Sequence, residues 1–119
     1  MNAPLPQQPE LLKHQLIASD LINLGSRELQ IIALDLIDKL LSGSIRGQRL
    51  EEHPSVGDLR DYFKIYFDLS KDRPPRYRIV YRYIPNMTIP KQLQIIAIAS
   101  RENLNVYKLA VERIGNTLN

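Results

Sequence analysis

Tyr62-Phe63-Lys64-Ile65-Tyr66-Phe67-Asp68 is the stretch on which the fold turns. Phe63, Ile65 and Phe67 alternate with Tyr62, Lys64, Tyr66 and Asp68, the period-two pattern of a half-buried strand. Immediately downstream, Leu69–Arg76 contains Pro74-Pro75 and reads as a connection. Tyr77-Arg78-Ile79-Val80-Tyr81-Arg82-Tyr83-Ile84 is a second alternating strand. Its tyrosines Tyr77, Tyr81 and Tyr83 share one face, expected to be core, and Arg78 and Arg82 share the other. Pro85–Lys91 is a loop. Leu93–Ala99 is a third strand, apolar on both faces apart from its glutamines, which places it in the sheet interior.

Upstream, residues 26–43 carry the clearest helical signal. Ser26 is placed to cap, Glu28 lies in the first turn, and Gly43 sits where a left-handed stop belongs. Leu29, Ile32, Ala33, Leu36, Ile37 and Leu40 form the apolar stripe, with Asp35, Asp38 and Lys39 outside it. Before this helix we expect a flexible, proline-rich arm over residues 1–10 and a short strand at Lys13–Ala18. Ser19 and Asp20 would then cap a helical turn over Leu21–Leu24 that ends at Gly25. Ser44–Gly57 reads as a polar loop. Glu102–Ile114 reads as a closing helix, with Leu104, Tyr107, Val111 and Ile114 on one side and Gly115 as its stop. The order β-α-α-β-β-β-α predicts a small α+β domain over residues 11–119. Its sheet should be curved, antiparallel-dominated and covered by the N-terminal helices.

At 119 residues the chain holds one core of modest size. It has no cysteine, so neither a disulfide framework nor a thiolate site is available. Met1–Pro9 lacks the basic start and apolar centre of a signal peptide, and no apolar run approaches the ~20 residues of a membrane span. We therefore expect no membrane association and a cytoplasmic location. Charge is uneven. Residues 1–56 hold five Lys and Arg against seven Asp and Glu, a balance of −2. Residues 57–119 hold eleven against six, a balance of +5. The half that carries the strands suits a polyanion, although a solvated basic surface would read the same way. The acidic residues do not cluster like metal ligands, and His14 and His53 have no motif around them, so no metal and no cofactor is expected.

Lys64, Arg78, Arg101 and Tyr107 each have an ordinary reading when taken singly. Lys64 could be a solvated strand residue, and Arg78 a partner for Asp68. Arg101 could be a junction salt bridge, and Tyr107 part of the closing helix's core. Their order is more telling. Leu59-Arg60-Asp61-Tyr62-Phe63-Lys64-Ile65, Tyr77-Arg78-Ile79-Val80-Tyr81, Ser100-Arg101-Glu102 and Val106-Tyr107-Lys108-Leu109-Ala110-Val111-Glu112-Arg113-Ile114 follow one another as they do in the RelE branch of the RelE/ParE toxin superfamily, which this chain resembles over about half its length. In particular, Arg101 precedes Tyr107 by six residues. The resemblance implies a metal-independent mRNA interferase that cleaves messenger RNA in the ribosomal A site and is neutralised by a cognate antitoxin. Either a weak homodimer or a toxin–antitoxin hetero-oligomer is the implied assembly. It implies a phosphate contact for Lys64, transition-state stabilisation for Arg78, leaving-group assistance for Arg101 and base stacking for Tyr107. Arg60, Arg82 and Lys108 are expected to add RNA-backbone contacts.

One position departs. Where the closest RelE members carry a second lysine as general base, this chain has Tyr66, on the same strand face as Lys64. A phenol with a pKa near ~10 is a poor base at neutral pH unless cations lower it. Two alternatives therefore stay open, both non-catalytic: a gyrase-directed inhibitor of the ParE type, or a toxin relic kept for binding. Independently of any resemblance, a pentacoordinate phosphorus carries negative charge on its equatorial oxygens, and guanidinium groups offer paired donors to them. The sequence thus predicts that Lys64, Arg78, Arg101 and Tyr107 meet on one concave face of the sheet.

Overall fold

A computed structural model of the chain describes residues 8–50 and 61–117. The elements run β1 (Glu10–Lys13), α1 (Ile17–Asn23), α2 (Arg27–Ser42), β2 (Gln48–Arg49), β3 (Phe63–Phe67), β4 (Tyr77–Ile84), β5 (Gln92–Ser100), a 3-10 turn (Glu102–Leu104) and α3 (Asn105–Thr117). The sheet order is β1-β5-β4-β3-β2. β1 runs parallel to β5 and every other neighbouring pair is antiparallel. This is the expected α+β class, with β5 in the sheet interior.

The alternation in β3 and β4 sorts side chains to two faces. Phe63, Phe67, Ile79, Tyr81 and Tyr83 meet Ile17 of α1 and Leu29, Ala33, Ile37 and Leu40 of α2 in the larger core. The rings of Phe63 and Tyr81 stack at 5.6 Å, and Tyr83 sets its edge against both. Ile32 and Leu36 are half-buried at the margin of this core. α2 begins where Ser26 Oγ accepts the Leu29 N–H (3.3 Å) and ends at Gly43, whose φ of 77° is left-handed. The opposite face is covered only in part, by Val106, Tyr107 and Ala110 of α3 against Val80, Ile96 and Ala97. A bulge between Val80 and Tyr81 leaves Ile96 without a partner on β4. Ile96 and Ala97 therefore both turn toward α3 instead of alternating.

Several boundaries differ from the sequence reading. The strand expected at Lys13–Ala18 lies at Glu10–Lys13, so residue 10 belongs to the sheet; residues 1–7 of the expected arm lie outside the described residues. Register with Gln92–Ile95 of β5 decides this, because a parallel edge strand takes its hydrogen bonds from its partner and not from its own pattern. α1 starts at Ile17, so Ser19 and Asp20 lie inside it instead of capping it. The Ser44–Gly57 loop contains the short strand β2, in the part of it that is described. There Gly47 is held by its N–H to Tyr81 Oη (2.6 Å), and a Cβ would collide with the Lys64 carbonyl. α3 continues through Gly115, a tolerated interior glycine at a cost of about 1 kcal/mol.

Asp20 is buried, and so is Arg113 of α3. Their bidentate pair (2.6 and 2.7 Å) sits where β1 has ended. Asp20 accepts the Ile98 N–H at 2.9 Å and Arg113 donates to the Ile96 carbonyl at 3.0 Å. The pair thus satisfies backbone groups of β5 that no strand reaches, and it ties α3 to α1 across the sheet edge. The helical stripe read from Leu104, Tyr107, Val111 and Ile114 is rotated as a result. Val106, Tyr107, Ala110 and Arg113 are the buried positions, and the other three pack at the margin.

Candidate functional site

Because α3 covers only part of its face, a cleft of about 710 Å³ opens beside it. β3 presents Lys64 and Tyr66, β4 presents Arg78, the end of β5 leads to Arg101, and α3 contributes Tyr107. All five residues expected to be catalytic line this one cleft. Register explains the first three. Tyr66 stands opposite Arg78 in the β3–β4 ladder, and Lys64 lies two residues along on the same face. Arg101 is fixed through its backbone, its N–H donating to the Arg76 carbonyl at 2.8 Å. The turn that follows contains Leu104 at a φ of 61°, a strained conformation for a non-glycine residue at the cleft wall. Tyr107 is 6% exposed, packed in the α3 core with part of its surface on the cleft.

The electrostatics are unequal. Arg78, a cleft residue, is itself only 6% exposed. Its Nη1 donates to the carbonyls of Pro75 (2.7 Å) and Tyr77 (2.9 Å), and its guanidinium lies 3.9 Å from the Tyr66 ring centroid. Lys64 Nζ lies 5.2 Å from the same ring, and the Tyr66 hydroxyl donates to Gln48 Oε1 at 3.0 Å. Among the described residues neither Lys64, Arg78 nor Arg101 has a carboxylate partner. Asp68, expected as a partner for Arg78, pairs instead with Arg76 through a two-pronged contact of 2.8 and 3.0 Å. Hydrogen bonds from the Arg76 side chain, then from the Leu69 and Arg76 N–H groups, hold the Asp68 carboxyl well below the usual carboxylate range. Arg76 also lines the cleft, but its charge is answered there. The site is therefore a cationic cleft lined by three tyrosines, Tyr66, Tyr77 and Tyr107, suited to an anion joined to a flat apolar group.

Arg82 is not among the cleft residues. Its Nε donates to Gln94 Oε1 (2.6 Å), and it borders a separate pocket with Arg49 and Asp61 near the β4–β5 loop. Lys108 is exposed on α3 and borders a small pocket with Ser100, Glu102 and Asn105. Arg60 lies outside the described residues. Sequence reasoning missed Gln48 and Arg76. The Arg76–Asp68 closure had a readable signal, two opposite charges flanking a Pro-Pro loop. Gln48 had none, because only the β2–β3 pairing brings it beside Tyr66.

Fold and site define an α+β domain whose mixed sheet is closed by helices on one face and opens a basic, tyrosine-lined cleft on the other. No family model and no curated protein matches the chain. Among solved structures it is similar to an arginine-to-alanine double mutant of the E. coli toxin RelE in the free state. Identity is 23% and the TM-score 0.57, covering 91% of this chain and 99% of that one. It is also similar to the isolated E. coli RelE toxin, at 24% identity and a TM-score of 0.50, covering 89% and 98% of the two chains. The chain has a RelE-like fold.

Proposed function

We propose that this protein is a RelE-type toxin that cleaves messenger RNA in the ribosomal A site and is held inactive by a cognate antitoxin. The observation that carries the reading is the meeting of Lys64, Arg78, Arg101, Tyr66 and Tyr107 in one cleft of a RelE-like fold. In this reading the substrate's 2′-hydroxyl attacks the adjacent phosphorus as its proton leaves to water. The bond from phosphorus to the 5′-oxygen breaks, and that oxygen takes up a proton. The products are a 2′,3′-cyclic phosphate and a 5′-hydroxyl. Arg78 and Lys64 answer the charge that builds on the equatorial oxygens, Arg101 donates to the departing oxygen, and Tyr107 stacks on a base.

A non-catalytic relic that binds through the same cleft is the second reading. Tyr66 favours it, since its hydroxyl is committed to Gln48 and it stands where RelE members carry a lysine. Inducible expression followed by primer extension on a reporter mRNA separates the two. In-frame cleavage within codons, with growth arrest, supports the nuclease. Intact mRNA and normal growth would leave only binding. Among the described residues no helix is long and apolar enough to cross a membrane.

A further inference from the structure

The placement of Tyr66 does more than mark the absence of a lysine. Arg78 spends Nη1 on two carbonyls, so the edge formed by Nε and Nη2 is the one left over. Buried Nε has no hydrogen-bond partner among the described residues, which is costly unless something arrives to accept from it. That edge carries two parallel N–H donors, the geometry that grips two oxygens of one phosphate. One face of the guanidinium is set by the Tyr66 ring at 3.9 Å, and the ring is itself held at its hydroxyl by Gln48. β2 supplies that anchor at the position opposite Lys64.

Resting on the RNA reading above, we infer that Tyr66 and Gln48 are positioning residues: the glutamine pins the ring, and the ring fixes the plane in which Arg78 presents its Nε and Nη2 to the scissile phosphate. Tyr66 thus acts through the arginine and not as a proton acceptor. Its ring is what the site needs, and its hydroxyl serves only as a tether. A free arginine side chain would sample many orientations. A guanidinium held by two carbonyls and a ring is already in the plane the transition state requires.

The test is single-turnover cleavage of a reporter mRNA on translating ribosomes, with Tyr66→Phe, Tyr66→Leu and Gln48→Ala beside wild type. Tyr66 is 37% exposed and Gln48 is exposed, so these variants fold, and thermal melting verifies it. Tyr66→Leu is expected to lower the maximal rate on the order of 10–100-fold, the penalty of a misplaced catalytic group. The half-saturating toxin concentration should change far less. Tyr66→Phe restores most of the rate, and Gln48→Ala falls between. The NMR signal of the Arg78 Nε–H, shifted by the ring current, should stay in place in Tyr66→Phe and move in Tyr66→Leu. If Tyr66→Phe is as damaged as Tyr66→Leu, the hydroxyl does chemistry and the inference is wrong. If Tyr66→Leu matches or exceeds wild type, the ring is neutral or a cover, and the inference is equally wrong while the nuclease reading stands. A wild-type protein with no cleavage of ribosome-bound mRNA overturns both.

Discussion

The two faces of the sheet are built from the same strands and have opposite fates. On the face under α1 and α2, every second residue of β3 and β4 is aromatic or aliphatic, and the layer closes over Tyr81 and Ile79 completely. On the other face the intervening residues are Lys64, Tyr66 and Arg78, and α3 covers only the part of the sheet beyond them. One strand therefore serves stability with its odd-numbered residues and the cleft with its even-numbered ones. The closed face can be mutated only at the expense of folding. The open face holds a buried arginine and two cations that have no carboxylate partner among the described residues, an arrangement that folding alone would not favour.

The largest effect is expected at the Asp20–Arg113 pair, which joins α1 to α3. Asp20→Ala removes the buried carboxylate that pairs with Arg113 and strips the Ile98 N–H of its acceptor. The expected loss is about 3–5 kcal/mol, read by urea unfolding. Because Arg113 anchors the helix that carries Tyr107, this is the one stability mutation that should also disturb the cleft. Next comes the closed face. Leu40→Ala removes a side chain that is 1% exposed and should cost about 2–5 kcal/mol. Leu36→Ala, at the half-buried margin, should cost clearly less, and equal losses would show that α2 sits differently on the sheet.

The open face should show the reverse profile. Arg101→Ala is expected to lower cleavage about 10²–10³-fold, the usual effect of losing one preorganised donor, with an unchanged melting temperature because the side chain is exposed. A shifted melting temperature would erase the distinction between the faces. The smallest effect is a pH dependence at the loop between β3 and β4. The folded-state pKa of Asp68 is depressed by Arg76, so its contribution is present above the unfolded value near ~3.9 and fades as pH falls from there toward the folded value. Asp68→Asn should therefore lower the melting temperature at neutral pH, and its difference from wild type should shrink below about pH 4.

Much of this was written locally. The alternation of Phe63, Ile65 and Phe67 placed β3. Ser26 and Gly43 bounded α2 to the residue, since a cap and a left-handed stop act within one helical turn. The cleft residues were legible because an alternating strand commits Lys64 and Tyr66, and separately Arg78 and Arg82, to one face each. What a local pattern cannot carry is pairing between distant segments. β1 owes its limits to β5, β2 to β3, and the burial of Asp20 to an arginine far along the chain, so a residue that reads as a helix cap becomes half of a buried ion pair.

By itself, then, the sequence determined the periods, the caps and the set of cations and tyrosines that could share one surface, because each follows from neighbours within a few residues. The tertiary structure alone decided that Arg82 stands apart from the cleft and that Asp68 answers Arg76 and not Arg78. It alone decided that Gln48 holds the ring beneath which Arg78 lies. Those outcomes depend on strand register and on which helix covers which part of a face, and both are settled by packing the whole chain at once.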